Sequence, residues 1–294
     1  MLYYASNTRA YEKFTDIHSS LTCSRKIKHQ MAAYDPDVVI SVHPTMNFVP
    51  MKVTRKISES KGKYIPFFTV VTDFGSGHCT WFQKGIDKMF IASDRIRKLA
   101  KKRGNVPDEK MVMSGLPIRY DFALEAEKMG DRTSESGKDY RRMMKEKLGL
   151  NPNKKMILVM GGGEGVGSLE AIADALHSET KRDGIDATIC VVCGRNENLR
   201  NQLGTKDWEN TKINNKQTGK RRFFSKLFSK KSATSEHHIE NDSVEKVGKV
   251  NVIGLGFVSN MAEYMVGADV LVSKAGPGTI AEAASVGLPV MVTR

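Results

Sequence analysis

The sequence predicts an α/β fold with parallel sheets, divided into about two domains, and three observations carry that prediction. The chain of 294 residues is long enough for two ordinary domains with buried cores. Short continuous apolar runs alternate with amphipathic stretches along most of it, the pattern of strands joined by helices. Two of the runs end in glycine clusters that open into helices. Residues 155–160 lead into Gly161, Gly162, Gly163, Glu164 and Gly165, and residues 270–273 lead into Lys274, Ala275, Gly276, Pro277, Gly278 and Thr279. Where a strand turns through glycines into a helix, backbone N–H groups are left facing outward, and an anion can approach them closely.

One such turn alone is as often plain geometry as a ligand site. Two in one domain, the second carrying Lys274 and Thr279, point to a nucleotide diphosphate held between them. Neither turn is an ATPase P-loop, because four spacer residues between Gly and Gly-Lys-Ser/Thr are absent. A hydride-transferring enzyme is disfavoured too. The strand after Gly161 ends in Cys193-Gly194-Arg195, with no Asp or Glu there for a ribose.

Taken in order, residues 1–34 read as a mostly helical lead-in, and Asp35-Pro36-Asp37 as a turn. A short strand at 38–44 and a helix at 45–58, interrupted near Pro50, come next. The strand expected at 64–73 closes on polar groups, and Asp73, Gly75, Gly77, His78 and Trp81 follow within a few residues. Two readings of that loop stand side by side. Trp81 packs in the core while His78 caps a backbone group, or Asp73, His78 and Trp81 offer a carboxylate, an imidazole and an aromatic platform to a sugar. Further on are strands at 89–92 and 110–119 around a helix at 94–103. The polar, basic stretch from 125 to 146 reads as a helical linker, so the first domain is expected to end near 135, with a linker at 136–150 and a second domain at 151–294. That second domain alternates five strands (155–160, 187–193, 250–254, 269–273, 289–293) with helices, which implies parallel order.

Between 206 and 249 lies a polar insertion, expected to be disordered in large part. Eight of the chain's positive charges fall at 212–231 with no acidic residue among them, so a net charge of +13 leaves about +5 for the remainder. Within it Phe223, Phe224, Leu227 and Phe228 recur at helical spacing among basic residues. A short helix on an anionic membrane surface has that pattern, and so does an unstructured loop with incidental aromatics. Charge confined to one insertion, with no recognisable binding fold, argues against nucleic acid as partner. Cys190 and Cys193 have metal or redox spacing, but on a buried strand side chains three apart point to opposite faces, and no second pair completes a site. No apolar run reaches the roughly 20 residues that span a bilayer.

Six stretches resemble the monogalactosyldiacylglycerol synthase family of plants and algae: Ile40 to Pro44; Val71-Thr72-Asp73 with His78 to Phe82; Gly115-Leu116-Pro117-Ile118-Arg119; Met160 to Gly165; Val192 to Asn196; and Lys274 to Ala283 with Gly287-Leu288-Pro289. They occur in family order at family-like spacing. The resemblance implies glycosyltransferase group 28 and the GT-B fold, with two Rossmann-like domains facing a cleft. It implies inverting transfer of galactose from UDP-galactose to 1,2-diacylglycerol at plastid (chloroplast) envelope membranes, with no tightly bound cofactor and no metal. By resemblance, Gly161 to Gly165 and Lys274 to Thr279 hold the diphosphate, Glu282 the ribose hydroxyls, and Gly256-Phe257 the uracil, while Asp73, His78 and Trp81 line the acceptor side.

The family also has an upstream strand with a glycine loop bearing the proposed general-base histidine, and a downstream Pro-Gly-Gln-Glu segment that contacts the sugar. Neither occurs in these residues, so the resemblance implies a chain incomplete at both ends, with little activity and no assignable catalytic base. The alternatives are a related diacylglycerol glucosyltransferase, the lipid-linked transferase of peptidoglycan synthesis, or an inactive fragment that binds membrane surfaces.

Overall fold

The apolar runs assemble into two separate parallel sheets, one in each of two units, residues 1–117 and 118–294. The computed structural model describes residues 8–161, 169–210, 247–274 and 276–293.

In the first unit, helices α1 (Arg9–Thr22) and α2 (Ser24–Ala33) precede strand β1 (Val39–Ser41). Helix α3 (Phe48–Lys61), strands β2 (Phe67–Val70) and β3 (Lys88–Ile91), helix α4 (Asp94–Leu99) and strand β4 (Met111–Met113) follow, with sheet order β1-β2-β3-β4. Pro50 does not interrupt α3. It stands in the first turn, where a missing N–H leaves no helical bond unmade. Instead of a helix running to residue 103, α4 gives way to a wider turn at Ala100–Gly104. Gly104 there lies so close to Phe82 that an added Cβ would sit 2.6 Å from its backbone oxygen. Strand β4 is shorter than expected because Gly115, at φ +77°, turns the chain out of the sheet.

The second unit begins with helices α5 (Tyr120–Met129) and α6 (Glu135–Lys147). Residues 136–150, expected from their polarity to be a linker, are for the most part helix. Met144 and Met129 are buried in the same cluster as Met156, Leu158 and Leu271, so α5 and α6 belong to the second core. Their polar residues cover the outer face, which is why composition alone suggested a spacer. The remaining elements are β5 (Lys155–Met160), α7 (Leu169–Arg182), β6 (Ala187–Val192), α8 (Glu197–Thr205), β7 (Val250–Leu255), α9 (Met261–Gly267), β8 (Val270–Ser273), α10 (Pro277–Ser285) and β9 (Val290–Val292). All pairs are parallel and the order is β7-β6-β5-β8-β9.

Both faces of this sheet are covered, which explains its uninterrupted apolar strands. Met156 and Leu158 of β5 face α5, α6, α9 and α10, while Ile157 and Val159 face α7 and α8. Cys190 and Cys193 fall into these opposite clusters and are free thiols. Burial pushes the Cys190 thiol up to about 12, which keeps it unreactive.

The polar insertion starts later than residue 206 suggested. Lys206 Nζ reaches Asp174 at 2.6 Å, buried Trp208 donates its indole N–H to Leu203 O at 2.9 Å, and Lys181 Nζ donates to Glu209 O at 2.9 Å. On the return, Gly248 N donates to Lys181 O at 2.9 Å and Lys249 N to Asp186 Oδ1 at 2.8 Å. Both feet of the insertion therefore grip the C-terminal end of α7. The basic and aromatic residues at 212–231 lie outside the described residues.

Candidate nucleotide site

In the second unit the chain enters at the middle strand, winds outward through β6 and β7, then returns to the other side with β8 and β9. Strand order reverses between β5 and β8, and the C-terminal ends of strands at such a reversal form the usual ligand crevice of an open α/β sheet. Met160 and Ser273 are register partners at those ends, so Gly161 and Lys274 leave adjacent strands side by side. Sequence alone separated them by more than a hundred residues.

Gly161 is closely packed. An added Cβ would stand 3.0 Å from Leu169 Cδ1, at the start of α7. Gly162, Gly163, Glu164 and Gly165, together with Ala275, lie outside the described residues. At the second turn the case differs. Gly276 is the N-cap of α10 with φ −73° and ψ 128°, ordinary extended backbone, and a Cβ there would meet only Thr279 Oγ1 at 3.8 Å. Around Gly278 nothing lies within 4 Å. Neither backbone strain nor packing among the described residues demands glycine at these positions.

Among the described residues helix α10 carries no side-chain cap, and Pro277 at its first position has no N–H, so the amides of Gly278 and Thr279 are the first that its N-terminus offers. The helix dipole adds positive potential there, and Lys274, exposed just before it, adds a full charge. Gly256 and exposed Phe257 follow β7 at the same C-terminal end of the sheet, two strands from β5.

Glu282 lies on α10. It is not a free carboxylate: Arg119 Nε donates to Oε1 at 2.7 Å and Arg119 Nη2 to Oε2 at 2.9 Å. The Glu282 bond, outweighing burial, raises the Arg119 guanidinium above its ordinary range. No spacing in the chain announces this pair, although both residues fall in stretches singled out above.

In the first unit, Asp73, His78 and Trp81 do come together, but not as three open ligand groups. Trp81 is fully buried in the core with Phe67, Phe82 and Ile96, and its indole N–H donates to Asp73 Oδ2 at 2.8 Å. The aromatic platform expected at Trp81 is thus corrected to a packed side chain that holds Asp73 in place. His78 Nδ1 accepts from Thr80 N at 3.4 Å and lies 2.8 Å from Thr80 Oγ1, capping the short turn Cys79–Trp81. Asp73 also accepts from His78 N at 3.4 Å. Sequence reasoning missed Asn47, which is fully buried and ties three segments. Its Nδ2 donates to Pro44 O at 3.0 Å and Thr80 O at 3.3 Å, and its Oδ1 accepts from Thr69 Oγ1 at 3.0 Å.

Among solved structures, MurG from Acinetobacter baumannii superposes with a TM-score of 0.50 at 14% identity, covering 93% of this chain and 56% of that one. A UDP co-structure of MnaA from S. aureus superposes with a TM-score of 0.50 at 13% identity, covering 95% of this chain and 64% of that one. The fold is of the GT-B class, and residues 156–293 match the glycosyltransferase family 28 C-terminal domain. Residues 1–118 match the monogalactosyldiacylglycerol (MGDG) synthase family model. Similar curated proteins include monogalactosyldiacylglycerol synthase 1 of Arabidopsis thaliana, 30% identical, and a probable monogalactosyldiacylglycerol synthase of Nicotiana tabacum, 32% identical, each covering 99% of this chain. Over both units, then, the chain is similar to the monogalactosyldiacylglycerol synthase family. It spans 45% of the length of each of those two relatives.

Proposed function

We propose that this protein takes part in inverting transfer of galactose from UDP-galactose to 1,2-diacylglycerol, and that its second unit is the donor site. The observation that carries the reading is the register of β5 and β8, which brings Gly161 and Lys274, where the two turns leave their strands, to one strand-order reversal. The diphosphate lies over the N-terminus of α10, with the amides of Gly278 and Thr279 and the ammonium of Lys274 as its donors, and Gly161 to Gly165 are proposed as further partners. Glu282 takes the ribose hydroxyls and Gly256-Phe257 the uracil.

As the bond between the anomeric carbon and the diphosphate breaks, negative charge gathers on the departing UDP. Fixed N–H dipoles and one lysine at that spot lower the barrier without reorganising. The acceptor side belongs to Asp73 and His78, with Trp81 acting through its hydrogen bond to Asp73. Diacylglycerol as acceptor implies work at a membrane surface; similar proteins named chloroplastic support a plastid, and the envelope membrane is the surface proposed there. Among the described residues no helix is long and apolar enough to cross a membrane. Anionic lipids are the partner proposed for residues 212–231, and deleting 219–231 should weaken binding to anionic vesicles.

Calorimetry tests the donor site directly. Gly278→Val fills the space beside α10 and Lys274→Ala removes the charge, and each should weaken UDP binding about tenfold, the worth of a charge-assisted hydrogen bond. Undiminished UDP affinity in both variants would sink the site. Competition between UDP-galactose and UDP-glucose in a transfer assay separates the galactosyl reading from the glucosyl one.

A further inference from the structure

Helix α1 is amphipathic the wrong way round. Its half-buried residues among those described are Thr15, Asp16, Ser19 and Ser20, and Ser20 shares a groove with Met51 and Arg55 of α3. Its apolar residues face out instead: Tyr11 is 44% exposed, Phe14 68%, Ile17 62% and Leu21 82%. At roughly 3.6 residues per turn these four fall within about 120° of the helix circumference, so they form one stripe. Phe14 and His18 stack along it, with ring centroids 6.1 Å apart. A surface helix ordinarily turns such a stripe to the core. Single exposed apolar residues are common, but a contiguous apolar strip of this kind marks a surface that a partner covers.

Two observations say which partner. By sequence α1 carries two basic residues, Arg9 and Lys13, and two acidic ones, Glu12 and Asp16, so no net charge draws it to a charged macromolecule. Its N-terminus stands against the turn that carries His78: Tyr11 N donates to Thr8 Oγ1 at 3.3 Å, and Cys79 Sγ donates to Thr8 O at 4.0 Å. An apolar stripe that starts beside the proposed acceptor groups, where the proposed acceptor is itself a lipid, fits acyl chains. We propose that α1 lies flat in a neutral lipid surface, with Tyr11, Phe14, Ile17 and Leu21 sunk among the acyl chains, and docks the first unit where diacylglycerol is drawn. This docking is apolar, and so is separate from the charge attraction proposed for residues 212–231. It rests on the acceptor-side reading above for the choice of lipid as occupant.

Flotation of the whole chain with phosphatidylcholine vesicles containing diacylglycerol, in high salt, reads this contact, because salt screens what basic residues contribute. Phe14→Asp combined with Leu21→Asp should weaken partitioning at least about tenfold, since each apolar side chain withdrawn from lipid forfeits its transfer free energy. Phe14→Leu combined with Leu21→Phe keeps the apolar area and should float as wild type does. Both pairs of changes fall on exposed side chains, so the thermal midpoint should hold. Equal flotation of the aspartate variant and wild type would overturn the proposal. So would a lipid-free dimer in sedimentation velocity that the aspartate changes dissociate, which would give the stripe to a second copy. Vesicle binding needs neither donor nor turnover, so the two readings fail separately. If the aspartate changes abolish flotation while Asp73→Asn leaves the diacylglycerol KM unchanged, the acceptor reading falls and this one stands. A chain that glycosylates dispersed short-chain diacylglycerol but does not float removes this one alone.

Discussion

Replacing Asp269 by asparagine should loosen the pairing of β5 and β8 on which the donor site depends. Asp269 stands one residue before β8, at the strand end opposite the glycine turns. Its Oδ2 accepts from Lys145 Nζ and from Met156 N, each at 2.9 Å, and its Oδ1 accepts from Arg141 Nη2 at 2.6 Å. One carboxylate therefore ties β8 to the first residues of β5 and to α6. Burial works to raise its pKa, but Lys145 and Arg141 together outweigh burial and hold it at about 2, against 3.8 for the unperturbed group. That depression is worth about 2.5 kcal/mol of folding free energy. The stabilisation is fully present above pH 3.8 and is lost as pH falls through about 2. Asp269→Asn at neutral pH should cost more, about 3–5 kcal/mol, because the amide leaves two buried cations without a counter-charge. Hydrogen exchange at the amides of β5 and β8, read by mass spectrometry, measures the loss where it falls. A change below about 1 kcal/mol there would refute the electrostatic reasoning, given the quoted worth of breaking a buried pair. So would an acid-unfolding profile in which wild type and variant lose stability in parallel below pH 4.

Gly104→Ala places a Cβ 2.6 Å from both the Phe82 Cβ and its backbone oxygen. A loss of about 1–3 kcal/mol in the first unit is expected, seen as a lower thermal midpoint. Trp81→Phe removes the indole donor from Asp73, which should cost about 1–3 kcal/mol. In a transfer assay it should raise the KM for diacylglycerol while UDP affinity stays unchanged; a change in UDP affinity alone would contradict the assignment of Asp73 to the acceptor side. With burial holding the Cys190 thiol at about 12, alkylation of the folded protein at pH 8 should label exposed Cys23 and spare Cys190. Rapid labelling of Cys190 under native conditions would show that its strand opens readily.

The chain's own pattern determined the α/β class, the parallel order of the second sheet and the glycine turns, because each rests on local regularities: strand period, glycine placement and helix starts. The alternative in which Trp81 packs and His78 caps was legible for the same reason, an aromatic and an imidazole beside a short polar turn. Helix α6 reads as a spacer because its apolar residues are few, Met144 among them, and its charged face dominates the composition. What only the tertiary structure decided are the long-range pairings: Met160 beside Ser273, Arg119 on Glu282, Asn47 across three segments, and Asp269 among Lys145, Arg141 and Lys155. Such contacts join residues far apart in sequence, and no local periodicity encodes which distant partner will meet a given carboxylate or amide. They are fixed by which strands lie side by side, because a polar group buried at a strand end is costly unless it finds a partner there.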